Sequence, residues 1–155
     1  MFNGVPVFFN GKIGDTHGRH LTPDGYNLGL KWQCVEYVKR YYYQVYNHKM
    51  PYSYGHAKDL FDESLEDVAF NERRGLLQFR NVRYEKPKAG DILVYNGTSY
   101  NRYGHTGIIS RVSDTEIELM QQNYGIKSRD TLTLSTFNGI YTVADYDILG
   151  WLRIP

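Results

Sequence analysis

Apolar and polar residues alternate with a helical period in the first half of the chain. Over residues 31–46, apolar side chains recur every three or four positions, as Cys34, Val38, Tyr41, Tyr42 and Val45. This spacing predicts an amphipathic α-helix. Pro51 prevents that helix from continuing, because proline has no backbone N–H to donate. A second helix is predicted over residues 56–70, with one apolar face made of Ala57, Leu60, Phe61, Leu65 and Val68.

The second half of the chain changes to short runs with the period of β-strands. These runs cover residues 79–84, 91–95, 105–112, 117–122 and 148–154, with a weaker one near Leu132. Turn residues separate them, and glycine-rich turns fill residues 1–30, which we predict to be an irregular lead-in. Helices followed by strands indicate an α+β fold, in which N-terminal helices pack on an antiparallel sheet of about five or six strands.

Composition limits the function classes. The 155 residues suggest one domain covering 1–155, and the 41% of hydrophobic residues is enough for a packed core. A formal net charge of +1 gives no reason to expect binding to nucleic acid or to an anionic membrane. The 15 tyrosines are unusual, and they suit a groove for an extended peptide or glycan chain as well as the edges of a core.

The single cysteine excludes a disulfide within the chain. No apolar run approaches the roughly 20 residues of a membrane span, and the N-terminus lacks the charge and apolar pattern of a signal peptide. We therefore expect a protein that is either cytoplasmic or exported by a route that needs no signal peptide. We also expect a monomer, although none of these features determines the oligomeric state.

Cys34 lies where the first predicted helix begins. Unpaired backbone N–H groups and the helix dipole favour a negative charge at that position, which would lower the pKa of the thiol. Gln33, directly before it, is suited to donate an amide hydrogen bond to an oxyanion. The alternative for a lone cysteine is a buried, unreactive side chain.

His105 opens the run at 105–112, and the phase of the next run brings amide side chains to the same region. If Ile117 and Leu119 face the core, the alternation of a strand puts Gln121 and Asn123 on that face too. Inward amides need hydrogen-bond partners, and an imidazole is suitable. A cysteine, a histidine and an orienting polar group, in this order, predict a papain-like thiol hydrolase.

The chain contains five short motifs in the order Trp32-Gln33-Cys34, Tyr54-Gly55-His56-Ala57-Lys58-Asp59, Pro87-Lys88-Ala89-Gly90-Asp91-Ile92, Tyr103-Gly104-His105-Thr106-Gly107-Ile108 and Gln121-Gln122-Asn123-Tyr124. These motifs resemble the CHAP family, the cysteine, histidine-dependent amidohydrolases/peptidases, which belong with the NlpC/P60 and papain-like folds. The resemblance covers nearly the whole chain.

The resemblance implies roles for individual residues. Cys34 would be the nucleophile, His105 the general base and Gln33 an oxyanion donor, while Gln121 stands where the family usually has a glutamate. The motifs also predict a substrate groove near Trp32, Tyr103, His56 and Tyr124. We expect neither a cofactor nor a metal, because His17, His20 and Asp24 lie in a loop that is typical of solvated side chains.

Three functions stay open at the level of sequence. The resemblance implies hydrolysis of a peptide-type substrate, with peptidoglycan peptides favoured by the tyrosine-rich composition. The cysteine motif and Ile148-Leu149-Gly150-Trp151 look most like the amidase domain of glutathionylspermidine synthetase/amidase, which makes glutathionylspermidine an alternative. Gln121 in place of a carboxylate also leaves a catalytically weak module that binds peptides or cell wall.

Overall fold

A computed structural model describes residues 1–144 and 147–155, and it has the α+β class that the sequence predicts. The helical elements are α1, Cys34–Tyr46, and a short 3-10 helix, Ala57–Leu60. The strands are β1, Arg19–Leu21; β2, Asn27–Leu30; β3, Ala69–Asn71; β4, Leu76–Arg80; β5, Ile92–Tyr95; β6, His105–Val112; β7, Glu116–Met120; β8, Arg129–Phe137; β9, Ile140–Val143; and β10, Ile148–Arg153.

Eight of the strands form one antiparallel sheet in the order β3-β4-β10-β5-β6-β7-β8-β9. Helix α1 covers one face of its centre, where Tyr37 and Tyr41 pack with Ile92 and Ile108. A second apolar cluster around Trp151 covers the other face of the same strands. The central strands are therefore buried on both sides, and β6, which begins with His105, lies directly under α1.

The second predicted helix, over residues 56–70, is wrong. Only Ala57–Leu60 is helical, and Phe61 is already extended. The Gln78 side chain explains the change, because its amide accepts from the backbone N–H of Asp62 at 2.8 Å and donates to the Asp62 carbonyl at 2.7 Å. A side chain from β4 thus takes the backbone bonds that a continuing helix would need.

The predicted irregular lead-in and the predicted strand count are also wrong. Residues 1–30 contain the antiparallel pair β1-β2, and the sheet has eight strands instead of five or six. The strands that the pattern missed, β3 and β9, are only three and four residues long and lie at the two edges of the sheet. Strands this short have too few positions to show a period. Only one α-helix is present among the described residues, where helices were predicted.

A buried glutamine, Gln122, holds the start of α1 to the end of β7. Its amide N–H group donates to the carbonyl of Gln33 at 2.8 Å and to the carboxylate of Glu36 at 2.9 Å. Its amide oxygen accepts from Arg40 at 3.1 Å and from the backbone N–H of Phe8 at 2.9 Å. Because Gln122 and Glu36 are almost fully buried, these groups have no water to replace a lost partner.

We expect Gln122→Ala to lower the free energy of unfolding by about 2–3 kcal/mol, because it leaves several buried polar groups unpaired, one of them charged. Urea unfolding checks this. Gln44→Ala, at an exposed position of the same helix, is the matched control and should have little effect. Equal transition midpoints for the two variants would contradict the structural role of Gln122.

Candidate active site

The first residue of α1, Cys34, lies in the wall of an open cleft of about 860 Å³. The residue as a whole is partly exposed and borders the cleft, while its sulfur is enclosed by neighbouring groups. The cleft brings together six of the residues that the sequence singles out, namely Gln33, Cys34, His56, Tyr103, His105 and Asn123. The cleft is therefore the place where the start of α1 meets the first residue of β6. The loops that precede these two elements border it as well.

Cys34 is in contact with the strand that carries His105. The backbone N–H of Thr106, the residue after His105, lies close enough to the Cys34 sulfur to favour the thiolate. Gly104, on the other side of His105, has a φ of +77° and approaches Tyr95 so closely that a Cβ would lie 2.4 Å from its carbonyl oxygen. A glycine is therefore required at position 104, and it fixes where β6 and His105 begin.

The hydrogen bond predicted between His105 and Gln121 is present. Gln121 directly follows β7 and is 2% exposed, and its Oε1 lies 2.8 Å from Nε2 of His105. An amide oxygen only accepts, so Nε2 carries the proton and Nδ1 is the unprotonated ring nitrogen. The Gln121 amide N–H group is buried without a hydrogen-bond partner among the described residues.

The protonation states differ from the expectation of a thiol with a lowered pKa. Burial raises the pKa of Cys34 to about 11, although backbone N–H groups of Thr106, Val35 and Cys34 itself oppose this. Burial lowers the pKa of His105, and the hydrogen bond to Gln121 opposes that shift only in part. The resting pair is therefore a neutral thiol and a neutral imidazole, because the helix terminus does not outweigh desolvation.

Gln33 and Asn123 contribute to the cleft in different ways. Gln33 is the N-cap residue of α1, and its side chain makes no capping bond. It borders the cleft, where its amide can meet a ligand. Asn123 has a φ of +63°, accepts from Asn10 at 2.9 Å and donates to the carbonyl of Ile13 at 2.9 Å. It thereby fastens an N-terminal loop to the cleft, and Gln121 is the residue that binds the imidazole.

Aromatic rings surround the histidines of the cleft. The rings of Tyr124 and His105 are 5.3 Å apart, and those of His56 and Tyr103 are 4.3 Å apart. Trp32, which was predicted to line the groove, instead packs on Phe8 at 4.4 Å and is not among the residues that border the cleft. Tyr124 contacts the histidine without bordering the cleft itself.

Sequence reasoning missed several residues that shape the cleft. Asn10 binds the backbone N–H of Trp32 at 3.0 Å and Asn123 at 2.9 Å, while Arg19 and Arg102 border the cleft. All three lie in loops or at a short strand, where no motif or period marks them. His17 and His20 do not come together with Asp24, because His17 contacts the carbonyl of Asn10 and His20 contacts Glu36.

Within residues 1–144 and 147–155, no group of three or more His, Cys, Asp or Glu side chains is arranged to hold a metal ion. No helix in this part of the chain has the length and apolarity to cross a bilayer.

The CHAP domain family model matches residues 25–123, which include Cys34, His105 and Gln121. The bifunctional glutathionylspermidine synthetase/amidase of Escherichia coli is 29% identical over 81% of this chain and 22% of its own length. The trypanothione synthetase of Crithidia fasciculata is 26% identical over 97% of this chain and 25% of its own length. The chain thus spans about a quarter of the length of these relatives.

Among solved structures, the wild-type endolysin LysIME-EF1 is similar, with 22% identity, a TM-score of 0.49, and coverage of 94% of this chain and 60% of that chain.

The Gln121 contact predicts how the reactivity of Cys34 depends on pH. We expect Gln121→Glu to raise the pKa of His105, because the carboxylate stabilises an imidazolium. The imidazolium in turn stabilises the thiolate, so alkylation of Cys34 by iodoacetamide between pH 6 and 8 should be at least roughly tenfold faster. The measurement is the alkylation rate against pH, followed by intact-protein mass spectrometry.

Gln121→Ala should leave the thiol pKa high, because it adds no charge. Gln44→Glu places the same new charge at an exposed position of α1 and serves as the control. If the alkylation rate depends on pH in the same way for Gln121→Glu and for the parent, Gln121 does not determine the charge state of Cys34 and His105.

Proposed function

The chain belongs to the CHAP domain family, and from this we propose that it is a thiol-dependent amide hydrolase with Cys34 as its nucleophile. The observation that carries the proposal is that Cys34, at the start of α1, shares one cleft with His105, whose ring is held by Gln121. A nucleophile, a base and a group that orients the base are the components that acyl transfer through a thiol requires.

Formation of the acyl-enzyme would begin from the neutral pair. As the Cys34 sulfur attacks the carbonyl carbon of the substrate, Nδ1 of His105 accepts the thiol proton. The imidazolium then gives this proton to the departing amine when the C–N bond breaks, and a thioester on Cys34 remains. Proton transfer is coupled to attack because burial raises the pKa of the thiol and lowers that of the imidazole.

The negative charge that develops on the carbonyl oxygen needs hydrogen-bond donors. The backbone N–H of Cys34 belongs to the first turn of α1 and has no partner within the helix. The Gln33 amide borders the same cleft and makes no capping bond. These two donors support an oxyanion site beside the sulfur. Water, activated by His105 acting again as a base, would then hydrolyse the thioester.

Two substrate classes fit this chemistry. Peptidoglycan peptides are favoured by exposed tyrosines at the cleft, such as Tyr54, Tyr100 and Tyr103, which suit an extended chain. Glutathionylspermidine is favoured by the relative in Escherichia coli, which is named a glutathionylspermidine synthetase/amidase. Both are peptide-type amides, and neither changes the roles proposed for Cys34 and His105.

We expect Cys34→Ala to lose hydrolysis by at least about 10³-fold, because it removes the atom that forms the covalent intermediate. The assay is mass spectrometry of products from purified peptidoglycan and from glutathionylspermidine, tested in parallel. Circular dichroism and the urea midpoint establish that the variant is folded. Ser110→Ala, on β6 beyond the cleft, is the control and should keep parental activity.

Parental activity in Cys34→Ala would rule out thiol catalysis. If neither protein cleaves either substrate but both bind one of them, the chain is a binding module of the CHAP fold and the hydrolase proposal fails.

A further inference from the structure

The charge of the cleft differs from that of the whole chain. With 18 basic and 17 acidic residues, the chain is close to neutral. The cleft, however, is bordered by Arg19 and Arg102, and among residues 1–144 and 147–155 no aspartate or glutamate borders it. A concave site lined by one sign of charge concentrates the field there and attracts ligands of the opposite charge.

Both arginines are held by tyrosine rings, and within residues 1–144 and 147–155 neither has an ion-pair partner. The guanidinium carbon of Arg19 lies 5.7 Å from the centre of the Tyr54 ring, and that of Arg102 lies 5.0 Å from the Tyr103 ring. Arg102 also donates to the Tyr103 hydroxyl at 2.9 Å. In the described part of the chain, no carboxylate is within ion-pair distance of either guanidinium. Both side chains are exposed, so most of their donors remain available.

Two buried cations lie behind the same wall of the cleft. Lys39 is 1% exposed and donates to the backbone carbonyls of Asn27 and Ser53. Arg74 is 2% exposed and donates to the carbonyls of Tyr52 and Tyr54. Burial, together with the charges of Arg74 and Arg19, lowers the pKa of Lys39 to about 7. Near neutral pH Lys39 is therefore only partly protonated, and Arg74 supplies most of the positive charge behind this wall.

Two carboxylates that neighbour residues of the cleft wall are already engaged. Glu36, two residues after Cys34 on α1, is buried and binds Arg40 at 2.8 Å and His20 at 2.8 Å. Asp59 accepts from the backbone N–H of His56 at 2.8 Å and favours the charged form of Arg74. Neither cancels the charge of the two exposed guanidiniums at the cleft.

We propose that this cleft selects a net-anionic peptide, whose carboxylates bind the guanidiniums of Arg19 and Arg102. The planar fork of an arginine matches the two oxygens of a carboxylate, and the tyrosine beneath each guanidinium restricts its position. The inference rests on the proposed hydrolase function and names its substrate class. A spermidine leaving group carries ammonium groups, which this cleft would repel, so the charge favours an acidic peptide over the polyamine conjugate.

Charged thiol reagents test the electrostatic potential at Cys34, and this test does not require the natural substrate to be known. The probes are sulfonatoethyl methanethiosulfonate, an anion, and trimethylammonioethyl methanethiosulfonate, a cation. Each transfers its alkylthio group to the thiolate, forming a mixed disulfide and releasing methanesulfinate. The ratio of the anionic rate to the cationic rate, divided by the same ratio for a neutral cysteine peptide, cancels effects of the thiol pKa.

We expect this normalised ratio to be roughly tenfold above one for the parent at low salt, and to fall with ionic strength. It should drop to near one in the double variant Arg19→Gln, Arg102→Gln, and it should be retained in Arg19→Lys, Arg102→Lys. Arg111→Gln removes one positive charge outside the cleft and should behave like the parent. A parental ratio near one, or a ratio that the double glutamine variant does not change, would overturn the proposal.

Hydrolysis assays distinguish two cases: that the cleft does not select anions, and that the protein is not a hydrolase. With an acidic peptide substrate, the double glutamine variant should have a raised KM and a kcat close to that of the parent. Its activity on glutathionylspermidine should not fall. If no amide is cleaved by any variant while the reagent ratio stays high, the hydrolase function fails and the preference of the cleft for anions stands. If cleavage occurs equally for acidic and polycationic substrates, only the selectivity fails.

Discussion

The amide of Gln122 is the interaction on which the geometry of the site depends. It joins the carbonyl of Gln33, at the start of α1, to the buried Glu36–Arg40 pair and to the end of β7. Its neighbour Gln121 binds His105. Two consecutive residues therefore set the position of the helix that carries the thiol and the orientation of the imidazole. Because both side chains are buried, a shift of either element would leave polar groups without partners.

The amide of Gln121 affects the charge states of His105 and Cys34. A carboxylate would stabilise an imidazolium, and with it a thiolate, whereas an amide fixes the tautomer without adding charge. Together with burial, this keeps the thiol of Cys34 protonated at rest, with a pKa raised to about 11. Such a thiol is less reactive toward oxidants and stray electrophiles than a preformed thiolate. Activation would then occur only when a carbonyl group is bound beside the sulfur.

Much of the fold and of the catalytic centre could be predicted from the sequence, because the responsible signals are local. The apolar period gave α1, and the run at His105–Val112 was predicted with the observed bounds. The predicted helix over 56–70 failed because Gln78, a side chain distant in the sequence, binds the backbone of Asp62. No local pattern contains that contact.

Within the site, too, local features could be predicted from the sequence, whereas features that depend on the folded chain could not. Cys34, His105 and Gln121 lie in recognisable motifs at the ends of regular elements, so their meeting could be predicted from phase. The raised pKa of Cys34 could not, because it depends on how deeply the sulfur is enclosed. Arg19 and Arg102 come from a short strand and a loop. Only the folded chain brings their charges to one cleft.

The most direct test of the account is the tautomer of His105, measured from the ¹⁵N chemical shifts of its ring nitrogens in the folded protein above the pKa of the imidazole. A His105→Gln variant identifies the signals. The account predicts a protonated Nε2 and an unprotonated Nδ1, because Oε1 of Gln121 only accepts a hydrogen bond. In Gln121→Leu, the preference should weaken as the acceptor is lost. A proton on Nδ1 in the parent, or the same tautomer population in both proteins, would contradict the account.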